Sequence, residues 1–300
     1  MIQIIIHGYN DFNKNKNKIK TILVILIFLY FLFKILKRKM NSYTQILVTI
    51  FICLLIIIIY LEWDKKNKSL MVEGFEINEG IPRTIYLSYK TKDIPPYVIP
   101  NWKKLYPDYD VKLYDNFDCL QFLNNEYGTE FVNIFNYIED GPIKADFWRV
   151  CILYTYGGIY SDIDVEPLIN IGDIVQNDIT FVTCLSANSE NINPHFIAST
   201  PRHEVLKKCI DKYLKMFRDQ APYSYWGWSI VHVMKDVLQN IFGKRITEDG
   251  IYVDDKRQRY QMFKEIFPST ETNSDHYCKY KNIRVLNNRY KFYDSINHTF

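Results

Sequence analysis

The sequence predicts an α/β domain over residues 80–300, set behind an N-terminal transmembrane helix. Three observations predict it. Ile143, Phe147, Val150, Cys151 and Tyr154 recur at helical spacing, and Gly157-Gly158 ends that stripe. A β-prone run, Ile159–Val165, follows at once. Apolar residues fill the run Ile46–Leu61, near the length that spans a bilayer once its flanks are counted.

The N-terminal membrane region covers residues 1–63. Its firm transmembrane helix lies at about 44–63, with Tyr43, Thr44 and Trp63 as interfacial flanks. A second candidate, at about 20–36, contains the shorter run Thr21–Phe33. Lys37-Arg38-Lys39 lies between the two, and the positive-inside rule puts it in the cytoplasm. The chain after Trp63 is then lumenal or exterior, as in a single-pass type II protein. A second span would put Lys14, Lys16, Lys18 and Lys20 outside, against that rule. No small-residue cleavage site follows either run, so a cleaved signal peptide is disfavoured. Residues 64–79 are polar and charged and read as a stem.

Within 80–300, Ile81–Tyr89 reads as a turn followed by a strand, with apolar and β-prone residues after Pro82. Asp110–Tyr114 alternates with period two and reads as another. Helical patterning occupies Phe117–Tyr127, Glu130–Ile138, Ile143–Tyr156 and His203–Arg218. A further strand is expected at Asp178–Leu185.

Composition narrows the function. The formal net charge is +3 over 300 residues, and Lys and Arg are spread along the chain beyond the N-terminus. A nucleic-acid partner is therefore not expected. None of the six cysteines forms a Cys-x-x-Cys pair, which argues against a zinc ribbon or a thioredoxin-like site. They read as small buried hydrophobes, with one or two disulfides as the alternative.

The chemistry concentrates in Lys144–Leu168. Asp146 and Arg149 are three apart on a helix and share a face. They read either as a grip for sugar hydroxyls or as a surface ion pair. Asp162 and Asp164 are two apart in the expected strand, so both point to one side. Two carboxylates held together repel unless something compensates, and a hard divalent ion bridging phosphate oxygens does so. A charged turn is the plainer reading. The position favours the first, because ligands of α/β sheets bind at the carboxyl ends of strands.

The run Ala145, Asp146, Arg149, Leu153, Tyr154, Gly157, Gly158, Ile159, Tyr160, Asp162 and Asp164 resembles the DXD-containing sugar-transferase region. That region occurs in yeast-type initiating mannosyltransferases and capsular polysaccharide transferases, and a related version in the glucosylating clostridial toxins. The resemblance extends to Ile81–Tyr86 and Asn193–Ser199. It implies a GT-A fold, a Rossmann-like nucleotide-sugar-binding domain. It also implies a UDP- or GDP-hexose donor, Mn²⁺ or another divalent cation, and retention of anomeric configuration. The acceptor would be a glycan, a protein or a lipid. By position, Asp146 and Arg149 would bind donor sugar hydroxyls, and Asp162 the ribose and sugar. Asp164 would ligate the metal, and Tyr89 would stack on the donor base. Tyr86 stands where the family often has His. The family also often ends with His and then Gly-Ser-Trp, whereas this chain ends Asn297-His298-Thr299-Phe300. His298 is the candidate for the last metal ligand, and His276 is the second.

Tyr223–Ser229 is aromatic and polar and reads as an acceptor-binding loop or a packed loop. Two other readings stand beside the transferase. One is a phosphohydrolase of the haloacid dehalogenase type, which expects Thr or Val where Glu166 stands. The other is a non-catalytic membrane protein that retains the fold.

Overall fold

The computed structural model describes residues 80–188, 191–268 and 276–288. All lie in one compact unit, Asn78–Phe300. The expected membrane segments, the stem and His298 lie outside the described residues. Among those described, no helix is long and apolar enough to cross a membrane.

The chain opens with β1 (Thr84–Ser88), α1 (Val98–Leu105) and β2 (Asp110–Tyr114). Three helices follow: α2 (Asn116–Tyr127), α3 (Thr129–Tyr137) and α4 (Gly141–Tyr156). Then come β3 (Gly158–Asp162), β4 (Glu166–Pro167), β5 (Ile179–Leu185) and β6 (Ile192–Ser199). Two more helices, α5 (Glu204–Arg218) and α6 (Ile230–Phe242), precede β7 (Gly250–Val253). The last strands are β8 (Arg259–Ile266), β9 (Tyr277–Tyr280) and β10 (Ile283–Asn287).

The strands form one mixed sheet in the order β2-β1-β3-β6-β5-β8-β9-β10-β4, with β7 paired to β8. β1 runs parallel to both β2 and β3, and Ser88 is in register with Asp162. The carboxyl ends of β1 and β3 therefore meet at one place, as nucleotide-binding sheets require. β6 enters antiparallel beside β3.

Two apolar clusters pack on the sheet. Alternation along β1 and β3 divides them: Tyr86 and Tyr160 join the cluster of α2–α6, while Ile85, Leu87 and Ile159 join the cluster that includes α1. α4 is buried around most of its circumference, including Phe147, Trp148, Val150, Cys151, Ile152 and Leu153. Its expected one-sided stripe is thus a nearly all-round core helix. Truncating Phe147 would cost about 3–5 kcal/mol, as core aromatics do.

Local signals explain the boundaries. Asp115 Oδ1 accepts from Asp118 N at 2.9 Å and Asp118 Oδ2 accepts from Asp115 N at 3.2 Å, a reciprocal cap that starts α2. α4 begins with Gly141-Pro142 and ends at Gly157, which has φ +64°. A Cβ on Gly157 would stand 2.7 Å from the backbone of Pro201, and one on Gly158 2.7 Å from Thr84 O. The two glycines let the chain leave a buried helix and enter a buried strand against its neighbours.

One expectation needs correcting. The strand predicted at Ile159–Val165 stops at Asp162, and Ile163-Asp164 forms a turn closed by Val165 N donating to Asp162 O at 3.2 Å. Asp162 and Asp164 still face one side, because Ile163 and Val165 are buried in the α1-side cluster. Buried apolar anchors thus replace pleat periodicity. The five described cysteines, Cys119, Cys151, Cys184, Cys209 and Cys278, are buried and free, so no disulfide joins them.

Candidate active site

A cleft of about 620 Å³ opens at the carboxyl ends of β1 and β3. It is bordered by Asp146, Arg149, Asp162 and Asp164, and also by Tyr89. Five of the residues singled out in the sequence therefore share one cavity. His276 is not on its wall, and its ring stacks on Phe267 at 3.8 Å instead.

Arg149 is the hub. Its Nη2 lies 2.8 Å from Asp146 Oδ1 and 3.0 Å from Asp162 Oδ1. Its Nη1 donates to Pro194 O at 2.6 Å and its Nε to Ala145 O at 3.3 Å. Two hydrogen bonds and two ion pairs thus hold the guanidinium within the protein. The side chain is only 4% exposed. The surface ion-pair reading is thus excluded. The planar fork meets four oxygens at once, which lysine would not do.

Asp146 is held from the other side as well. Its Oδ2 accepts from Ile230 N at 3.0 Å and from the Ser229 hydroxyl at 3.4 Å. Ser229 caps α6, so the carboxylate sits at a helix N-terminus, where the dipole favours negative charge. Burial nevertheless pushes the Asp146 carboxyl up to about 6, against the opposing pull of Arg149. Burial also disfavours the Arg149 cation, but Asp162, Tyr160 and Asp146 outweigh it and hold the guanidinium above its ordinary value.

Asp162 is the exposed member of the set, with its side chain 32% accessible. Tyr160 OH donates to its Oδ1 at 2.8 Å and lies 3.3 Å from Ser88 Oγ. The Arg149 guanidinium stacks over the Tyr160 ring at 4.3 Å. Arg149 and Tyr160 both use Oδ1, so neither occupies Oδ2. Asp164 stands two residues on, half-buried on the same wall. This set fits a hard divalent cation: carboxylate oxygens, partly open, beside a cavity.

Several wall residues lie in segments the sequence singled out without a site role of their own. Tyr160 lies two before Asp162 on β3, so period two alone puts both on one face. His195 lies in Asn193–Ser199 and Ser229 ends Tyr223–Ser229, and only the fold brings them to this wall. From the expected acceptor loop, Tyr225 and Trp226 line the cleft mouth. Trp226 is 63% exposed, whereas Trp228 is fully buried and packs inside. The loop is thus half surface and half core.

Residues 96–181 match the family described as glycosyltransferase sugar-binding region containing DXD motif. A mannosyl phosphorylinositol ceramide synthase of Saccharomyces cerevisiae is 30% identical over 147 residues, 46% of this chain and 36% of that protein. Inositol phosphoceramide mannosyltransferase 3 of Schizosaccharomyces pombe is 34% identical over 89 residues, 29% of this chain and 25% of its own length. The matches thus span about a third or less of these relatives. The solved PaToxG glycosyltransferase covers 60% of this chain and 79% of its own at 16% identity and a TM-score of 0.41, too distant to bear on the argument. Asp146, Arg149, Asp162 and Asp164 all fall inside the stretch that matches the DXD-containing sugar-binding region of glycosyltransferases.

Proposed function

We propose that the protein is a metal-dependent glycosyltransferase that moves a hexose from a nucleotide-sugar donor to an acceptor with retention of configuration. The observation that carries this reading is the cleft wall itself. An arginine held by two hydrogen bonds and two ion pairs fixes Asp162 in place beside Asp164. Such rigidity is what charge stabilisation in a transition state needs.

In this reading Asp164 holds a divalent cation such as Mn²⁺. When bound, the cation supplies Lewis-acid stabilisation of the departing nucleoside diphosphate. Asp162, fixed through Oδ1, offers Oδ2 to donor hydroxyls. Asp146 and Arg149 act mainly by positioning Asp162. Lys90 and Lys144 border the cleft and add positive charge for the diphosphate. Tyr89 provides a ring for the base. The relatives are named for mannosyl transfer to inositol phosphoceramide. A nucleotide-mannose donor and an inositol-phosphate sphingolipid acceptor therefore come first. The apolar run at about 44–63 would hold the domain against the membrane that carries such an acceptor.

The test is release of nucleoside diphosphate by the full chain, with and without Mn²⁺, across a panel of nucleotide hexoses. Asp164→Ala should lower turnover at least about 100-fold, the scale of several kcal/mol that a Lewis acid supplies, while the melting temperature holds. Wild-type turnover in that variant would overturn the metal assignment. Absence of release from every donor would instead favour the non-catalytic reading.

A further inference from the structure

Cys184 on β5, His195 on β6 and Cys278 on β9 bring two thiols and an imidazole within 4.8 Å of one another. All three are buried. We infer that these side chains form a structural site for a thiophilic divalent metal, zinc by chemistry, reaching the cleft wall at His195 and using none of the Asp162 and Asp164 carboxylates.

Two observations carry this. The first is the donor set. Two sulfurs and an imidazole nitrogen suit zinc, whereas the carboxylates of Asp162 and Asp164 suit a hard ion.

The second is geometry. His195 Nε2 lies 3.5 Å from Cys278 Sγ, and Asn288 Oδ1 lies 3.4 Å from the same sulfur. With bonds of about 2.3 Å to sulfur and about 2.0 Å to nitrogen, a tetrahedral zinc has a sulfur–nitrogen edge of about 3.6 Å. The sulfur–sulfur edge is about 3.8 Å, so a cluster spanning at most 4.8 Å tightens by no more than about 1 Å on loading. Asn288 stands beside Cys278 and supplies the nearest oxygen that hydrogen-bonds its sulfur. Its Nδ2 donates to the buried Glu265, which turns its Oδ1 toward the sulfur. Glu265 also accepts from Asn193 Nδ2 at 3.0 Å, so an ordered carboxylate backs the site, as outer partners of metal ligands do.

The site has a consequence for the cleft. Pro194, one residue before His195, gives its carbonyl to Arg149. A metal tying β5, β6 and β9 would therefore fix the floor on which the arginine hub rests.

The experiment uses the full chain, purified under reducing conditions and desalted. Elemental analysis should find one zinc per chain, and cobalt loading should give a thiolate-to-cobalt charge-transfer band. Cys278→Ser and His195→Ala should each lose the band and at least half the zinc. His195→Cys, which keeps a ligand at that corner, should retain both. Asp164→Ala should also retain both, which separates this site from the sugar-donor metal, whatever becomes of transfer activity. Cys119→Ser, a buried cysteine outside the cluster, controls for packing. The inference is overturned if reduced wild-type protein binds no more zinc than Cys278→Ser. It is equally overturned if mass spectrometry finds Cys184 and Cys278 joined as a disulfide in the protein as purified.

Discussion

The two sides of the cleft are built on opposite plans. On the α4 side, Asp146 and Arg149 are buried, and almost every polar atom is held by another part of the protein. In the loop that leads to Ser229, Tyr225 and Trp226 turn aromatic faces to solvent, with Trp226 63% exposed. The first arrangement stores order before any ligand arrives, so little reorganisation is needed at the moment of reaction. The second leaves surface that only a partner can cover. On the proposed reading, the donor would lie on the rigid wall and the acceptor on the aromatic lip.

The comparison breaks most directly at Arg149. Arg149→Ala leaves Asp146 and Asp162 facing each other without their cation, Asp146 fully buried. Losing one partner of a buried ionic group costs about 3–5 kcal/mol, which chemical denaturation would read. Arg149→Lys should recover part of that, because the charge returns without the fork. If Arg149→Ala unfolded like wild type, the wall would not be the rigid element described here.

Gly158→Ala comes next. The position has φ +102°, and the new Cβ would meet Thr84 O at 2.7 Å. Strain of this kind costs about 1–3 kcal/mol, and a thermal melt checks it. Activity should fall with it, because β1 and β3 carry Ser88 and Asp162 side by side.

The pH profile sharpens the contrast. Burial pushes the Asp146 carboxyl up to about 6, so kcat/KM should fall as pH drops through that value and the hub loses a charge. Stability should move the other way. A carboxyl raised in the fold contributes stability that is fully present below its unfolded value near 3.8 and is lost as pH rises through about 6. Asp146→Asn should remove both trends. A profile flat from pH 5 to 8 in wild type would sink this assignment.

The smallest effect belongs to the lip. Trp226→Ala should raise the acceptor KM about 3- to 10-fold, in line with about 0.5–1.5 kcal/mol for an aromatic contact. Donor hydrolysis and the melting temperature should stay near wild type. A change in donor KM instead would move Trp226 to the other side of the comparison.

Local features of the site were legible in the sequence. The helical spacing of Ile143–Tyr156, the Gly157-Gly158 break and the strand after it needed only periodicity and backbone sterics. Non-local features were not. Asp146 and Arg149 look like any i,i+3 surface pair until α6 and β6 close over them. The strand end at Asp162 depends on Ile163 and Val165 finding the α1-side core, which no local propensity encodes. Cys184, His195 and Cys278 are brought together by strand pairing across the whole domain, so their spacing carries no signal.

Gly157 and Gly158 also define how this sequence can change. Every single substitution at either position adds a Cβ where backbone already stands. Elsewhere in the core, a lost methyl group can be regained by a neighbour, so variants drift in pairs. Here no second mutation in a side chain compensates, because the obstacles are Thr84 O on one side and the Pro201 backbone on the other. In a saturation library scored for folded protein, these two codons should be the least forgiving pair in the domain, more so than the acidic residues beside them.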